Sequence, residues 1–171
     1  IFIFLTFLIF MELNRNNLPF RKNCEGYFTN GGGFILAQIT KEGILVFPGG
    51  GINDNESPKS AIIRETLEET GAIVEDVIFL GKLNFLWNED WIKTEKQRKR
   101  YELYKGEEMY FFSGIISSFK EKHEINEEDF WKEEKLMHIT QILSFLEKSK
   151  PFSDNLKKYR EFQINALKNL K

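Results

Sequence analysis

The chain has 171 residues, 42% apolar and 29% charged, which is typical of one globular domain with a sizeable core. Its formal net charge of -2 gives no overall bias toward nucleic acid or a membrane surface, so any basic partner surface has to be local. A single cysteine, Cys24, excludes an intrachain disulfide, and with His123 and His138 it forms no cluster of zinc-binding spacing. A cytoplasmic location is therefore expected.

The N-terminal stretch, IFIFLTFLIF over residues 1–10, is almost wholly apolar and is followed at once by Met11. It is too short to cross a bilayer as a helix, which needs about 20 residues, and it lacks the basic start and cleavage site of a signal peptide. We expect an upstream extension, with Met11 as the natural start and residues 11–171 as one domain. A buried edge strand or a weak membrane-associating tail is the alternative.

The next part of the chain predicts short strands. Residues 26–39, GYFTNGGGFILAQI, read as two strands around Asn30-Gly31-Gly32-Gly33, whose residues tolerate positive φ, and so predict a hairpin. The apolar run ILVF predicts another strand. Pro48 ends that strand because proline cannot donate a hydrogen bond to a sheet.

A glycine turn then leads into a helix. Glycines at this turn let the backbone approach a ligand closely, and there are three of them: Gly49, Gly50 and Gly51. Ser57 is a good N-cap, Pro58 suits the first helical position, and Gly71 suits the residue just past the end. These signals predict a helix from Pro58 to Thr70.

Three carboxylates share one face of this predicted helix, because Glu65, Glu68 and Glu69 lie at i, i+3 and i+4. The opposite face is predicted to pack on the core through Ile63, Leu67 and Thr70. Three like charges this close repel one another and raise their pKa values unless a cation or an arginine compensates. Hard oxygen ligands of this kind suit Mg²⁺ or Mn²⁺, which in turn favour phosphate substrates. A solvated helix face is the simpler interpretation of the bare triplet.

Taken together, residues 50–71, GGINDNESPKSAIIRETLEETG, resemble the Nudix box of the Nudix hydrolases. The fixed positions of that box are all present, at Gly50, Glu56, Arg64, Glu65, Glu68, Glu69 and Gly71. Thr66 and Ala72 stand where the box usually has large aliphatic residues, a departure that concerns packing and removes no ligand. The resemblance implies an α/β fold, an α/β/α sandwich with a mixed, partly closed sheet and a loop-helix-loop metal site.

The resemblance also implies a metal site. Glu68 and Glu69 would be the principal ligands of Mg²⁺, for which Mn²⁺ could substitute. Glu65 would be a further ligand or the base, and the Gly50 carbonyl could help.

Supporting roles follow from the same resemblance. Arg64 would orient the glutamates and would belong with Glu65 and Glu68 to the catalytic set, while Glu56 would pair with Arg64. The glycines would place the site structurally, at Gly49, Gly51 and Gly71.

Beyond the box, VIFLGKLNFLW predicts a strand or strand pair, and EEMYFFSGII predicts a central strand of a buried sheet. Between them, residues 93–105 carry six basic and two acidic side chains flanked by aromatic residues. We interpret this stretch as a mobile arm whose cations bind a polyphosphate and whose aromatic ring stacks on a base. If the arm is extended, basic side chains line one of its faces. The candidate substrate-binding residues are Trp87, Arg98, Arg100 and Tyr101. A solvated loop with its aromatic residues in the core is the alternative.

An additional acid from outside the box is expected by the resemblance, and the candidates are Glu107, Glu108, Glu127 and Glu128. His138 is predicted to be a satisfied core histidine because its neighbours are apolar. Two helices should close the chain, one capped by Thr140 and ending at Lys148, and one capped by Ser153. The second should pack through Leu156, Tyr159, Phe162, Ala166 and Leu170.

These observations predict a Mg²⁺-dependent pyrophosphohydrolase that cleaves a nucleoside diphosphate linked to another group, with a nucleoside triphosphate or a modified form as the leading substrate. ADP-ribose-like nucleotide sugars and dinucleoside polyphosphates come next, although Trp87 stands where those subfamilies carry Pro or Tyr. A non-catalytic module that senses a nucleotide is a further alternative, which the intact box disfavours. A nucleic-acid partner is disfavoured by the net charge, no membrane partner is expected, and the last helix could pack against a second copy in a homodimer.

Overall fold

A mixed sheet forms the centre of the structure, a computed structural model that describes residues 15–120, 131, 135–149 and 153–170. Among these residues the sheet has six strands: β1 (Phe20–Thr29), β2 (Phe34–Leu36), β5 (Gly49–Gly51), β6 (Ala72–Leu86), β7 (Gly106–Phe119) and β8 (Leu136–His138). The order is β6-β7-β1-β2-β8, and β5 also pairs with β1. β1 and β7 are parallel, and the other pairs are antiparallel. A separate pair consists of β3 (Gln38–Ile39) and β4 (Leu45–Val46).

Helices cover both faces of this sheet. They are α1 (Pro58–Thr70), α2 (Glu95–Leu103), α3 (Ile139–Lys148) and α4 (Asp154–Lys168), and a 3₁₀ turn spans Glu89–Trp91. α1 packs on one face through Ala61 and Ile62, and α3 and α4 pack on the other through Ile142 and Leu167. The predicted α/β/α sandwich with a mixed sheet is therefore confirmed. The described strands form an open sheet with β6 and β8 at its ends, so its predicted partial closure is not observed in them.

The two central strands divide their side chains between the two cores, because successive residues of a strand point to opposite faces. On the α1 face, Phe28 of β1 and Phe112 of β7 are buried beside Ile62. On the other face, Tyr27 and Phe111 are completely buried. β7, which was predicted as a central strand, lies between β6 and β1.

The predicted hairpin and both ends of the predicted box helix are confirmed. β1 and β2 pair antiparallel across the Asn30–Gly33 turn, with Thr29 opposite Ile35. The helix runs from Pro58 to Thr70 as the capping residues indicated. Local sequence sufficed here because turn and cap residues act within a few positions of themselves.

The core-facing side of α1 differs from the prediction. Thr70 is buried as predicted, but Ile63 is 37% exposed, and the other buried side chains of the helix are Ala61, Ile62 and Thr66. The buried stripe therefore lies about a quarter-turn from the glutamates instead of opposite them. With this rotation, the glutamates stand at the rim of the helix-sheet contact, where they reach the backbone of β5.

The segment around His138 also differs from the prediction. His138 is half-buried at the end of β8 and caps α3, and its Nδ1 accepts a hydrogen bond from the Thr140 backbone N–H at 3.3 Å. The helix thus begins at Ile139, before the predicted cap Thr140. The cap of α4 is Ser153, as predicted, and Tyr159, Phe162, Ala166 and Leu170 pack on the core.

The basic stretch at residues 93–105 is helical in its centre, so the extended-arm and loop predictions are both wrong. α2 begins after Thr94, whose hydroxyl accepts the Gln97 N–H while the Gln97 side chain accepts the Thr94 N–H. At the other end, Arg15 donates to the carbonyls of Tyr101 and Tyr104. A capping box and a cation at the carbonyl end are both known stabilisers of a short helix.

Several predictions concern residues outside the described part of the chain. These are the apolar stretch 1–10 with Met11 and the candidate acids Glu127 and Glu128. Among the described residues, no helix is long and apolar enough to cross a membrane.

Candidate active site

Local capping contacts define both ends of α1, the helix of the box. The Ser57 hydroxyl accepts the Ser60 N–H at 3.0 Å, and Pro58 occupies the first turn. Gly71 has φ 75°, a left-handed conformation that favours glycine, and its N–H bonds to the Leu67 carbonyl at 2.8 Å. The loop that precedes the helix therefore leads directly from the glycines of β5 to the acidic face of α1.

Arg64 gathers the acidic side chains of the box. Its Nε and Nη2 donate to the two oxygens of Glu56 at 2.8 and 2.9 Å, and its Nη1 donates to Glu65 at 2.8 Å and Glu68 at 2.9 Å. Nη2 also donates to the Gly51 carbonyl at 3.0 Å. A guanidinium has five N–H groups, so these five contacts use its full capacity.

The pKa values of the box carboxylates shift in different directions. The bonds from Arg64 hold the pKa of Glu56 well below its usual range, at about 2, and Glu56 in turn raises the pKa of Arg64. Burial raises the pKa of Glu65, although Arg64 opposes that effect. Glu56 is therefore a fixed anion that holds Arg64, while Glu65 is the carboxylate whose proton affinity is increased.

The glycines of β5 leave room for the glutamates. A Cβ atom at Gly50 would lie 2.4 Å from the Glu65 carboxylate, so any side chain there would displace it. On the same strand, the Gly49 N–H donates to Glu69 Oε2 at 3.0 Å. The two glutamates are thus positioned against the backbone of β5, and Gly49, Gly50 and Gly51 are all part of the site.

The donor atoms at this site suit a divalent cation chemically. Carboxylate oxygens from Glu65, Glu68 and Glu69 and the carbonyl of Gly50 are hard ligands of the kind that Mg²⁺ prefers. Among the described residues, no three His, Cys, Asp or Glu side chains are already grouped as a metal cage, and Arg64 instead draws Glu65 and Glu68 together. These residues fit the metal by donor chemistry, and holding it would require the carboxylates to turn from Arg64.

A second cation, Arg21, lies on the other side of the glycine strand and was not among the predicted site residues. A Cβ atom at Gly51 would lie 2.7 Å from Arg21 Nη2, and Arg21 Nη1 lies 3.7 Å from Glu107 Oε1. Burial and the nearby Arg100 lower the pKa of Arg21. Its signal in the sequence is a polar stripe at alternate positions of a buried strand, Arg21, Asn23 and Glu25.

A cavity of about 530 Å³ is lined by Glu107 and lies between the end of β6, the start of β7 and the start of α4. We call it the tryptophan cavity, since the stacked rings of Trp87 and Trp91, 3.8 Å apart and nearly parallel, form part of its wall. The lining also includes Phe85, Met109, Leu156, Tyr159 and Glu107. Its size and its mixture of aromatic and polar groups are typical of a small-molecule site.

The two candidate acids at the start of β7 point to opposite faces of the sheet. Glu107 lies toward the tryptophan cavity, and burial raises its pKa to about 7, against the effect of Arg21 and Arg100. Glu108 instead bonds to Lys82 at 2.8 Å and to the Tyr110 hydroxyl at 2.5 Å, which lowers its pKa. The structure therefore separates these adjacent residues chemically, which the sequence could not do.

Only some of the remaining predicted binding residues lie near the cavity side of the site. Arg100 lies close enough to Arg21 and Glu107 to influence the pKa values of both. Arg98 is exposed, with Glu95 3.9 Å away, and the guanidinium of Arg15 lies 3.3 Å from the centre of the Tyr101 ring. Trp87 and Arg100 are therefore close to the cavity side of the site, whereas the Tyr101 ring already has a cation on one face.

A larger cavity, of about 1210 Å³, lies elsewhere on the molecule. Its lining comes from the first turns of α1, the kinked part of β6 and the end of α4, with Lys59, Ile63, Ile78 and Phe162 among its residues. It contains none of the box glutamates. Despite its size it is the weaker candidate for the active site, because Arg21, Arg64 and the box glutamates do not line it.

Comparison with known proteins agrees with this geometry. A model of the NUDIX domain matches residues 25–159. The chain belongs to the Nudix family. Members of this family generally use divalent metals.

Individual relatives in the Nudix family match shorter parts of the chain. Nudix hydrolase 25 of Arabidopsis thaliana is 32% identical over 72 residues, which are 34% of this chain and 41% of that protein. An RNA pyrophosphohydrolase of Ectopseudomonas mendocina is 37% identical over 83 residues, 46% of this chain and 52% of the relative. That of Hydrogenovibrio crunogenus is 28% identical over 130 residues, 64% and 74% respectively. The chain spans about half the length of the first curated relatives it matches.

Solved structures share the Nudix fold at low sequence identity. A NUDIX hydrolase from Nitrosomonas europaea has a TM-score of 0.56 at 15% identity, covering 85% of this chain and 90% of that one. The Bacillus subtilis pyrophosphohydrolase BsRppH has a TM-score of 0.54 at 20% identity, covering 91% and 86%. At such identities the likeness concerns the fold alone.

Proposed function

We propose that this Nudix protein is a Mg²⁺-dependent pyrophosphohydrolase that cleaves a nucleoside diphosphate linked to another group, with a nucleoside triphosphate as the leading substrate and the monophosphate and pyrophosphate as products. The observation that carries the proposal is the Arg64 cluster, in which one guanidinium holds three box carboxylates beside the glycine strand. A family domain and relatives named pyrophosphohydrolases support the same reaction class.

The metal would be held by Glu68 and Glu69 with help from the Gly50 carbonyl, and Glu65 would be a further ligand or the base. When bound, Mg²⁺ supplies charge neutralisation for the phosphate oxygens and lowers the pKa of a bound water. Arg64 would hold Glu65 and Glu68 beside the glycine strand until they turn to the metal, and Glu56 keeps Arg64 in place through its two-pronged contact. Each of these tasks belongs to a residue of the box.

Proton removal from the attacking water needs a carboxylate of increased proton affinity. When Glu65 is not a metal ligand it can take this role, because burial raises its pKa and it stands against the Gly50 backbone. Arg21 and Arg100, on the cavity side of β5, are cations that can bind the phosphate oxygens beyond the cleaved bond. The chain thus provides an acidic side for the metal and a basic side for the phosphate chain.

The test is a panel of nucleotides incubated with the protein and Mg²⁺ and followed by release of phosphate and pyrophosphate. Glu68→Gln should reduce kcat by about 100-fold or more, because an anionic group that acts on the transition state is lost. Glu161→Gln, an exposed position on α4, is the matched control. Near wild-type turnover by a folded Glu68→Gln protein would exclude this mechanism. Tight nucleotide binding without any release would favour a sensing module instead.

A second candidate substrate is the 5′-triphosphate end of RNA, because two of the relatives compared above are named RNA pyrophosphohydrolases. Three basic side chains of α2, Lys96, Arg98 and Lys99, are exposed and could contact the RNA backbone. Replacing all three by Gln should weaken cleavage of a 5′-triphosphorylated oligonucleotide and flatten its salt dependence, with nucleoside triphosphate cleavage unchanged. Equal effects on both substrates would contradict an RNA role for α2.

A further inference from the structure

The tryptophan cavity has the volume and the aromatic wall expected of a site for a flat ring. Its aromatic side is the parallel pair Trp87 and Trp91, and its floor is formed by apolar side chains of β6, β7 and α4, among them Phe85 and Met109. A volume of about 530 Å³ is ample for a ring system and its sugar. Aromatic rings can stack on any base, so this wall contributes binding affinity but does not distinguish one base from another.

The polar groups of the cavity can supply that choice. Several are already used within the fold: the Asn155 amide donates to the Leu86 carbonyl at 2.9 Å, and the Ser153 hydroxyl caps α4. Tyr159 donates its hydroxyl proton to the buried Glu25. Glu107 differs, because its Arg21 contact of 3.7 Å is longer than a hydrogen bond and leaves its oxygens able to accept.

The charge of the cavity wall favours a ligand that donates hydrogen bonds. Among the described residues that line it, Glu107 and Asp90 are acidic, and none is Lys, Arg or His. Burial raises the pKa of Glu107 to about 7 against the effect of the neighbouring cations Arg21 and Arg100, so the carboxylate is ionised above that pH. An ionised carboxylate only accepts hydrogen bonds, so it is complementary to a base edge with two adjacent donors.

Guanine is the common base with such an edge, since its ring N1–H and 2-amino group both donate side by side. Adenine and cytosine present a donor next to an acceptor, and uracil presents one donor between two acceptors. Either of these arrangements would place an acceptor against the carboxylate. A site that bonds a donor of its ligand strongly rejects an analogue that lacks it, because its own polar group is left unpaired.

Arg21 connects this cavity with the box. One edge of its guanidinium lies against Gly51, whose carbonyl accepts from Arg64, and the other lies toward Glu107. A nucleotide whose phosphates reach Arg21 and the box would therefore direct its base toward the tryptophan cavity. The same orientation holds for a free nucleotide and for the first nucleotide of an RNA.

We propose that the tryptophan cavity binds the base of the nucleotide and that Glu107 makes the site selective for guanine by accepting from N1–H and the 2-amino group. The proposal rests on the proposed function for the position of the phosphates. It assigns Glu107 to specificity, separately from the box residues that are assigned to the reaction.

The test measures binding without metal and without turnover, by titrating GMP, IMP and AMP and following the quenching of tryptophan fluorescence. IMP lacks only the 2-amino group of GMP. The wild-type protein should bind GMP at least about 10-fold more tightly than IMP or AMP, the effect of about one charge-assisted hydrogen bond. Glu107→Gln should lower GMP affinity to the level of IMP and raise AMP affinity, because the Gln amide can donate to the adenine acceptor that the carboxylate opposes. Glu161→Gln, exposed on α4, should match the wild type.

Circular dichroism and thermal melting establish that each variant is folded, and Glu107→Asp serves as a second variant that keeps the charge and should retain part of the preference. Equal affinity of the wild type for GMP and IMP, or GMP binding by folded Glu107→Gln as tight as wild type, would overturn the proposal. Failure of the proposed function gives a different result: a Glu107-dependent preference for GMP with no hydrolysis of any nucleotide under Mg²⁺.

Discussion

The two sides of the glycine strand are built in different ways. On the box side, Glu56, Arg64, Glu65 and Glu68 lie within 13 positions of one another, and one guanidinium joins them. On the cavity side, Arg21, Trp87, Glu107 and Tyr159 come from four distant parts of the chain. The residues proposed for the chemistry are thus close in the sequence, whereas those proposed for the choice of substrate are brought together only by the tertiary structure.

This difference has a physical basis. A helix places residues three and four apart on one face whatever surrounds it, so a metal-binding face can be specified by spacing alone. A cavity exists only where separate elements pack, and its polarity depends on which strand faces are turned inward. Substitutions on the two sides should therefore have different effects on turnover and on affinity.

The largest effect is expected for Arg64→Ala, which removes the shared partner of three carboxylates. We expect kcat to fall by about 100-fold and the free energy of unfolding to fall by about 2 kcal/mol, a figure reduced for the partial exposure of this cluster. Kinetics and denaturant melts measure the two losses. Mg²⁺ should recover part of the stability by binding the released carboxylates, and full activity in the variant would show that the cluster does not organise the site.

A smaller and purely local effect is expected for Gly50→Ala. The new Cβ would occupy the position of the Glu65 carboxylate, which can move because it is the end of a flexible side chain. We therefore expect kcat to fall by about 10-fold with little change in the melting temperature. The exposed Gly43, where a Cβ would meet nothing within 4 Å, is unsuitable as a control because its φ is 75°. Gly32, with neighbours no closer than 3.6 Å, is the appropriate position for a control Gly→Ala change.

Trp91→Leu should affect the other side of the strand. Loss of the outer indole should raise KM by about 10-fold for the preferred nucleotide, since stacking on an aromatic residue contributes about 1–3 kcal/mol per base, and kcat should change little. Trp91→Phe, which retains a stacking ring, should recover most of the affinity. A reduction of kcat with unchanged KM would argue against the division between the two sides.

The smallest effect is expected at Glu25, which is buried behind the cavity and accepts from Tyr27 at 2.6 Å, from Gln163 at 3.0 Å and from Tyr159. Burial raises the pKa of Glu25, so the folded protein keeps its proton at a pH where the unfolded chain has lost it. The stability that this group contributes is therefore complete below the unfolded pKa and is lost as pH rises through the folded pKa.

Glu25→Gln should remove this dependence. Relative to the wild type, its free energy of unfolding should rise as pH increases above the unfolded pKa of a glutamate, with a difference at acidic pH below about 1 kcal/mol. Thermal melts across pH measure this. Glu25→Ala is the contrasting control, because it leaves three donors without an acceptor and should be less stable at every pH. Parallel pH profiles for the wild type and Glu25→Gln would contradict the assignment.

Some elements were predictable only in part, for reasons that individual residues make clear. Thr94 and Gln97 form a capping box whose spacing is visible in the sequence, yet the charge of the surrounding residues favoured an arm or loop over the helix that forms. Spacing also placed Ile63, Leu67 and Thr70 on the core face of α1, but only Thr70 of these is buried, and Ile62 and Thr66 are buried with it. Helical periodicity identifies which residues share a face but does not orient that face relative to a sheet.

By itself the sequence determined the box helix from Pro58 to Thr70, its caps, its shared glutamate face and the hairpin before it, because spacing and turn chemistry act over a few residues. Only the tertiary structure brought Arg21 against Gly51, separated Glu107 from Glu108, and enclosed a cavity beside the stacked tryptophans. The reason is that strand alternation assigns adjacent residues to opposite faces, and the packing of the sheet and helices decides what each face meets.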